Sequence, residues 1–497
     1  MKKIVLFIIC SLFLEISHAQ TAKQLGHLIP IKELHEDLEM LKYQLETVHA
    51  ALYTYTSKEE MDAAFAKIRE QLNRPMYDIE FYRLVAPLQQ KIKNGHSMII
   101  PSERWDQIKE KELPIFPFDT YWVNNKLYIL RNLSNDESVK PGSLIKTING
   151  ELAGDIFNEL IDNWTSDGHN RTFPAFQISS DFSNFYPNIK GVPLEFEIEL
   201  EDVNGVARSV KVKALLNETL NAIALSRYGL KRLPWYMDED SNAISLKISN
   251  ETAVLKVPTF DEGSKGDDGN KYPKFYEAAF QKIRTTGVKN LILDLRDNGG
   301  GDPKPQLALL SHLINEPIVL YRKVYGITNQ IAHIDLYEKH GAALNKRLGK
   351  FLEKKGTIYT LKESAEKKFG LVWTPTQPAP NVFTGNLFVL TNGRSFSATG
   401  EVAGMLKSYQ KDAVFVGEET GGNPTQNTSG VMIMMSLPNS KIRVRQSLIC
   451  FETNVNFDND GYGAKPDYPV KNTIEQELIG EDSVMQWTLD FINNRTK

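Results

Sequence analysis

The alternation of strand-like and helix-like runs between residues 243 and 475 is the feature that most constrains the fold. Short apolar runs ("AVLKVPTF", "NLILDL", "NLFVL", "AVFVG") alternate with helix-like runs ("KFYEAAFQKIRTTG", "PQLALLSHLI", "EVAGMLKSY"). This order predicts a mostly parallel sheet with helices on its faces. Ligands of such sheets bind at the carboxyl ends of the strands. Two glycine-rich loops, "RDNGGGD" and "NGRSFSATG", lie at such ends, so we expect the functional site there.

The residues before this region divide into a helical part and a strand-rich part. From 28 to 94, leucines recur at steps of three and four residues, and Ser57 with Glu60 forms a capping box. From Tyr121 to about Leu216, short alternating runs are punctuated by Pro-Gly and Asn-Gly turns. The aromatic stretch "NWTSDGHNRTFPAFQISSDFSNFYPNIKG" within this part shows no clear period.

Composition and the N-terminus limit the partners and the compartment. A net charge of -4 over 497 residues favours neither nucleic acid nor an anionic membrane as the partner. The N-terminus is predicted to be a secretory signal peptide, because it has the basic residues Lys2 and Lys3, the apolar run 4–14 and small residues before Gln20. Cleavage there would leave Cys450 as the remaining cysteine, which excludes an internal disulfide and a Cys-based metal site. We also expect no membrane-spanning segment after the leader.

Ser397 is the best-placed candidate nucleophile. It follows a strand-like run and precedes the helix marked by Val402, Met405 and Leu406, so it lies at the positive end of the helix dipole. The amide of Ala398 would then face whatever Ser397 attacks. A serine before a helix is most often only a capping residue, and the local sequence leaves both interpretations open.

The loop "LRDNGGGD" and the motif "NGHS" provide candidate partners for Ser397. Three consecutive glycines let backbone N–H groups face a ligand, and Gly300 is our candidate for a second oxyanion donor. A phosphate loop is disfavoured because the Lys-Ser/Thr pair is missing, whereas a plain turn stays open. His96 follows a helix stop and is a candidate general base, although a single histidine is often structural.

Three motifs in order, "NLILDLRDNGGGD", "VLTNGRSFSATGE" and "VGEETGGNPTQ", resemble the tail-specific, or C-terminal processing, serine peptidase family. "HAALYTY" and "KIKNGHSMI" resemble its N-terminal helical region, and "VKPGSLIKTINGE" resembles the core of its PDZ domain. The resemblance implies an α/β multidomain fold with a crotonase/ClpP-like catalytic domain, a polypeptide substrate and no cofactor. The expected units are residues 1–19 (signal peptide), 20–118 (helical, with the histidine motif), 119–220 (PDZ-like with an insert), 240–480 (catalytic) and 481–497 (C-terminal helix or tail).

The resemblance also separates two branches of the family. One branch uses a Ser–Lys dyad, but Asn423 stands where the lysine of that branch would be. Lys407 lies almost three helical turns past Ser397, which is too far to serve as the base. The other branch resembles the tricorn protease core, and Gly95-His96-Ser97 matches its Gly-His-Ser/Thr motif.

In that second branch a carboxylate orients the histidine. Asp460, three residues before Gly463 in "FDNDGYGAKPD", matches its position, and Asp458 is the alternative. The resemblance thus predicts an exported serine endopeptidase in which Ser397, His96 and Asp460 act with the backbone amides of Gly300 and Ala398. The competing hypotheses are a binding protein without turnover on the same fold, a noncatalytic scaffold, and an enoyl-CoA hydratase-like enzyme.

Overall fold

The computed structural model describes residues 28–232, 243–261, 271–337, 341–365 and 374–495, and the predicted signal peptide lies outside them. The chain has a mixed α/β fold in which helices pack against several sheets. The described helices are α1 (Ile31–Val48), α2 (Lys58–Gln71), α3 (Asp78–Val85), α4 (Gln89–Ile92), α5 (Glu103–Lys111), α6 (Ala153–Asp162), α7 (Thr172–Lys190), α8 (Asn217–Tyr228), α9 (Lys271–Thr285), α10 (Pro303–Ser311), α11 (Gly341–Phe351), α12 (Ala398–Tyr409), α13 (Ile474–Leu478) and α14 (Ser483–Arg495).

The described strands form three sheets. They are β1 (Met98–Ile100), β2 (Phe118–Val123), β3 (Lys126–Asn132), β4 (Leu144–Ile148), β5 (Glu151–Leu152), β6 (Glu195–Glu201), β7 (Ala207–Lys213), β8 (Ser245–Ser249), β9 (Thr252–Lys256), β10 (Asn290–Asp294), β11 (Tyr321–Gly326), β12 (Leu352–Lys355), β13 (Ile358–Leu361), β14 (Asn386–Thr391), β15 (Val414–Gly417), β16 (Gln426–Ser436), β17 (Arg443–Thr453) and β18 (Tyr468–Pro469).

The N-terminal helices form as the leucine spacing predicts. Helix α1 buries Leu34, Leu38, Leu41 and Leu45 on one face, because residues three and four apart lie on the same side of a helix. The capping box before α2 is present in both directions between Ser57 and Glu60. These helices share one hydrophobic core with the sheet that carries the candidate nucleophile.

The central sheet has the strand order β18-β15-β14-β10-β9-β8. Strands β9, β10, β14, β15 and β18 pair in parallel, and β8 joins the edge as an antiparallel strand. All five residues of β10 are buried, as expected for a strand covered on both faces. The carboxyl ends of β10 and β14 therefore bring the "RDNGGGD" and "NGRSFSATG" loops to the same edge of the sheet.

A second sheet connects the N-terminal helices to the region that follows the candidate nucleophile. Strand β17 pairs with β16 and β11, and β1 adds to it with Met98 opposite Arg445. This pairing is antiparallel, and it holds the segment after the histidine motif against a strand more than 300 residues later. The position of His96 thus depends on a long-range strand pairing.

The strand-rich part forms a third, antiparallel sheet of β2 to β7. One of the Asn-Gly pairs expected to form turns, Asn204-Gly205, lies in the connection between the antiparallel strands β6 and β7. The aromatic stretch without a visible period forms α7, which is kinked at Asp181 (φ -143°, ψ 34°). Because two helical segments meet at this kink, no single helical period covers the whole stretch. Within the residues described, no helix combines the length and apolarity needed to cross a membrane.

Candidate active site

Ser397 occupies a strained turn between β14 and α12. It directly precedes the helix, yet its side chain makes no capping hydrogen bond. Its backbone has φ 56° and ψ -123°, a conformation that residues with a Cβ rarely adopt and that costs about 1–3 kcal/mol. A strained serine between a strand and a helix has its hydroxyl raised out of the turn. The simple helix-cap interpretation of Ser397 therefore fails.

The hydroxyl of Ser397 has two polar partners. His96 Nε2 lies 3.1 Å from Ser397 Oγ, and Asn427 Nδ2 donates to the same oxygen at 3.2 Å. A serine oxygen within hydrogen-bond distance of an imidazole nitrogen is the arrangement that lets the ring accept the hydroxyl proton. The structure thus brings the predicted nucleophile and the predicted base together.

Aromatic stacking holds the ring of His96. Phe396 stacks on His96 with ring centroids 4.7 Å apart, and Phe173 stacks in turn on Phe396 with ring centroids 4.0 Å apart. Gly95 is needed for this approach, because a Cβ at that position would lie 2.6 Å from the Phe396 ring. Residues from three different parts of the chain therefore form one stack beside the serine.

The buried carboxylate of Asp167 joins the histidine loop to the loop after β15. It accepts hydrogen bonds from Gly95 N at 2.7 Å and from Asn423 N at 3.2 Å. Burial raises the pKa of Asp167 to about 6, and the two backbone donors oppose this shift. Asn423 itself is buried, and its side chain forms hydrogen bonds with neighbouring polar groups, including Tyr55 and Thr425.

The electrostatics around His96 favour the neutral ring. Burial, followed by the positive charge of Arg445, lowers the pKa of His96 to about 3. Its Nδ1 atom is buried and has no hydrogen-bond partner in the structure. The imidazole is therefore a free base at neutral pH, and it is held by packing rather than by a carboxylate.

The structure does not place Asp460 at His96. The Asp460 side chain is 63% exposed, pairs with Lys465 at 3.7 Å and accepts from the backbone of Tyr462. Asp458 is also exposed. Neither carboxylate is within reach of the unpartnered Nδ1 of His96, so the predicted orienting contact is absent from this structure.

The reason lies in the direction of the side chains along this loop. Asn459, between the two aspartates, points inward and binds Tyr55 and Asn423, while its neighbours face solvent. Gly461 N also donates to Asn459 Oδ1, which fixes the turn in this orientation. The inward side chain of this loop is therefore an amide, and it binds Tyr55 and Asn423 rather than His96.

The two predicted oxyanion donors lie against each other and against the serine. Gly300 has φ 102°, and a Cβ there would lie 2.7 Å from Ser397 Cβ and 3.0 Å from Ala398 N. Ala398 is the first residue of α12, so its N–H has no acceptor within the helix. In this structure Gly300 N donates to Asn298 Oδ1 at 2.9 Å. The Ala398 N–H is thus available to an oxyanion as it stands, whereas the Gly300 N–H must first leave Asn298.

Sequence reasoning missed the polar network behind Ser397. Asn427 Nδ2 also donates to Glu401 Oε1 at 3.0 Å, and Tyr321 OH donates to Glu401 Oε2 at 2.9 Å. Burial raises the pKa of Glu401, and its hydrogen bonds to Tyr321 and Asn427 oppose the shift. A local signal existed for Glu401, which lies four residues before Met405 on the apolar stripe of its helix. Asn427 has no comparable signal.

The site opens into a cleft of about 1630 Å³. Its walls come from the histidine loop, helix α7, the glycine loop after β10 and the strands β16 and β17. A cleft of this size accommodates several residues of an extended chain. Across the described ranges, no group of three or more His, Cys, Asp or Glu side chains is arranged to hold a metal ion.

The region that carries Ser397 is similar to a known peptidase family. Residues 251–470, which include both glycine-rich loops and Ser397, match the family model for peptidase family S41. With mature CPAF complexed with lactacystin, the chain shares 16% identity at a TM-score of 0.59, over 93% of this chain and 99% of that one. With mature CPAF the values are 15% and 0.56, over 90% and 94%.

A further similar structure is the photosystem II D1 C-terminal processing protease, at 13% identity and a TM-score of 0.40, over 91% of this chain and 98% of that one. The likeness to CPAF shows a shared fold. None of the curated proteins matches the chain in sequence. With the family match over the serine-bearing region, the chain is a serine peptidase.

The close contact at Gly300 predicts that Gly300→Ala destroys the site. The added methyl group would displace Ser397 and the Ala398 amide and would place alanine at φ 102°. We expect a loss of about 1–3 kcal/mol in unfolding free energy and labelling by a fluorophosphonate probe slowed about a hundredfold or more. Urea denaturation and the rate of labelling measure the two effects.

Gly299→Ala is the matched control, because a Cβ on Gly299 meets no atom within 4 Å. We expect its unfolding free energy to change by less than about 1 kcal/mol and its labelling rate to stay near that of the wild type. Equal behaviour of the two variants would show that the Gly300 contact is not needed.

Proposed function

We propose that the chain is an exported serine endopeptidase that cleaves polypeptides through an acyl-enzyme on Ser397, with His96 as the general base. The observation that carries this proposal is the 3.1 Å distance between His96 Nε2 and Ser397 Oγ, at a strained serine that does not cap its helix. The cleft of about 1630 Å³ beside the serine supports a polypeptide substrate.

The proposed reaction begins with proton transfer to His96. The Ser397 oxygen attacks the peptide carbonyl carbon while Nε2 accepts its proton. The imidazolium then protonates the leaving amine, and the C–N bond breaks to give the acyl-enzyme. Water attacks the ester after losing a proton to Nε2, and return of that proton to Ser397 Oγ releases the acid. No redox or metal chemistry is required in this sequence.

The carbonyl oxygen gains negative charge in both tetrahedral intermediates. Ala398 N–H is the first donor to this oxygen, because it opens a helix and lies beside the nucleophile. Gly300 N–H becomes the second donor if it turns away from Asn298 Oδ1 when substrate is present. Glycine allows such a rotation at low steric cost.

We assign the chain to the Ser–His branch rather than the Ser–Lys branch. Asn423 is an amide engaged with Tyr55 and Thr425, so it supplies no base. Lys407 pairs with Asp467 at 3.8 Å and lies 4.1 Å from the centre of the Phe415 ring. His96 is the basic group within reach of the serine.

We further propose that β2 to β7 with α6 and α7 form the PDZ-like unit at 119–220, and that residues 240–480 form a crotonase/ClpP-like catalytic unit. An antiparallel sheet flanked by helices supports the first assignment, and the parallel strand pairs support the second. The unit at 119–220 supplies part of the cleft wall through α7, including Phe173 and Gln177. It therefore contributes directly to the substrate site. Export is proposed from the leader-like residues 1–19.

Labelling with a fluorophosphonate probe tests the proposed nucleophile and base. We expect the wild type to be labelled and Ser397→Ala to be unlabelled. We expect the labelling rate of His96→Ala to be at least about a hundredfold lower than that of the wild type. In-gel fluorescence with mass spectrometry of the modified peptide gives the site and the rate. An unlabelled wild type would favour a binding protein without turnover.

Two variants control this experiment. His169→Ala removes a histidine that contacts Lys93 and Tyr462 rather than the serine, and we expect it to label like the wild type. Asp460→Asn removes the exposed carboxylate, and we expect a rate within about twofold of the wild type. A large loss of rate in Asp460→Asn would mean that the 458–460 loop moves to orient His96.

The pH dependence of labelling tests the state of His96. The pKa of His96 is lowered to about 3, so the ring stays neutral and able to accept a proton as the pH falls through the usual histidine value. We expect no loss of labelling rate centred near pH 6.5. A sigmoidal loss with that midpoint would contradict the buried, unpaired state of the ring.

Asp167 provides the control for this measurement, because its pKa is raised to about 6 and it binds the backbone beside His96. As the pH falls, Asp167 becomes protonated and accepts the hydrogen bond from the backbone beside His96 less strongly. A loss of rate near pH 6 that disappears in Asp167→Asn is therefore assigned to Asp167 and leaves the prediction for His96 intact.

A further inference from the structure

Arg445 lies in the candidate active-site cleft, close to the proposed base. It sits on β17 opposite Met98 of β1, which follows His96 by two residues. Its side chain lines the same cleft as Ser397, and its positive charge adds to the effect of burial in lowering the pKa of His96. Arg445 thus faces the space in which a substrate would be bound.

The guanidinium of Arg445 has no carboxylate partner within the described ranges. Its polar contact is from Nη2 to the thioether sulfur of Met432 at 2.6 Å, and a thioether is a weak acceptor. The residue is half-buried, and burial lowers its pKa. A partly desolvated cation without an anion is unfavourable, and an incoming carboxylate relieves this cost.

The neighbouring arginine on the same strand is satisfied within the protein. Arg443 also lines the cleft, but its Nη2 pairs with Asp106 and its Nε donates to Pro101 O at 2.9 Å. The two arginines differ by two residues and therefore point to the same face of β17. Arg445 is the nearer of the two to His96 along the pairing with β1, and among the described residues only Arg445 of this pair lacks a carboxylate partner.

We propose that Arg445 determines specificity by binding a carboxylate of the polypeptide substrate next to the scissile bond. This inference rests on the proposed function. The carboxylate is an acidic side chain or the C-terminal carboxylate, since the planar guanidinium binds both in the same bidentate way. A carboxylate bound there also offsets the positive charge beside His96, which favours the imidazolium that forms during attack.

The test compares the cleavage preferences of three proteins on one peptide library. The wild type, Arg445→Met and Arg443→Met digest a denatured, proteome-derived peptide library, and mass spectrometry identifies the cleavage sites. Fluorophosphonate labelling and thermal unfolding first establish that each variant is folded and has a reactive Ser397. Arg443→Met is the matched control, because it removes the same charge from the same strand face.

We expect wild-type cuts to be enriched in Asp or Glu at one fixed position, or to fall at a fixed distance from the peptide C-terminus. Arg445→Met should lose this preference, and Arg443→Met should keep it. Arg445→Glu should replace it with a preference for Lys or Arg, because the reversed charge attracts the opposite side chain.

Synthetic peptides then distinguish the two sources of the carboxylate. One pair differs by Glu and Gln at the enriched position, and the other by a free and an amidated C-terminus. We expect one pair to show about a tenfold or larger ratio of kcat/KM in the wild type, falling to within about twofold in Arg445→Met. The pair that responds identifies the source.

A wild type that cleaves peptides without any preference for a carboxylate overturns this inference and leaves the proposed function standing. A preference that survives in Arg445→Met, or that disappears equally in Arg443→Met, overturns it as well. A wild type that is not labelled at Ser397, or that is labelled but cleaves no peptide in the library, overturns the proposed function and the inference together.

Discussion

The contact between His96 and Ser397 is the interaction on which the rest of the site depends. The two residues are 301 positions apart, and the folded chain brings Nε2 and Oγ to 3.1 Å. The pairing of β1 with β17, the stacking of His96 on Phe396 and the carboxylate of Asp167 each hold this contact from a different direction. The geometry of the candidate site is therefore a property of the assembled chain rather than of the region that carries the serine motif.

Packing orients the His96 ring, whereas a carboxylate orients the histidine in many serine hydrolases. A carboxylate at Nδ1 fixes the ring and stabilises the imidazolium, whereas stacking on Phe396 fixes the ring without adding charge. The tautomer that accepts a proton at Nε2 carries its own proton on Nδ1, which has no acceptor in the structure. Under the proposed mechanism, the site as it stands offers no acceptor at Nδ1 for the imidazolium, and a bound substrate would supply part of that stabilisation.

The sequence predicted the parts of the site that depend on local chemistry. Apolar runs predicted the strands of the central sheet, and the glycines that surround Ser397 were visible because close backbone approach requires them. Asn427 and Asp167 could not be predicted, since nothing local distinguishes a buried polar residue that binds a distant loop. The expected contact of Asp460 with His96 is absent, because Asp460 faces solvent and pairs with Lys465, and the side-chain direction in an irregular loop has no period from which it could be predicted. Helix α7 was missed because its kink at Asp181 breaks the period.

The arrangement of the cleft explains why selectivity can reside far from the serine motif. Phe173 stacks on Phe396 from the strand-rich part, β1 adds to β17 from the N-terminal helices, and Gly300 touches Ser397 from the central sheet. Residues of all three parts line the cleft, so its shape depends on how closely these parts are held together. The strained turn at Ser397 is closely packed, since a Cβ on Gly300 would lie 2.7 Å from Ser397 Cβ and one on Gly422 would lie 2.6 Å from Ser397 N. The packing that shapes the cleft therefore also surrounds the strained turn at Ser397.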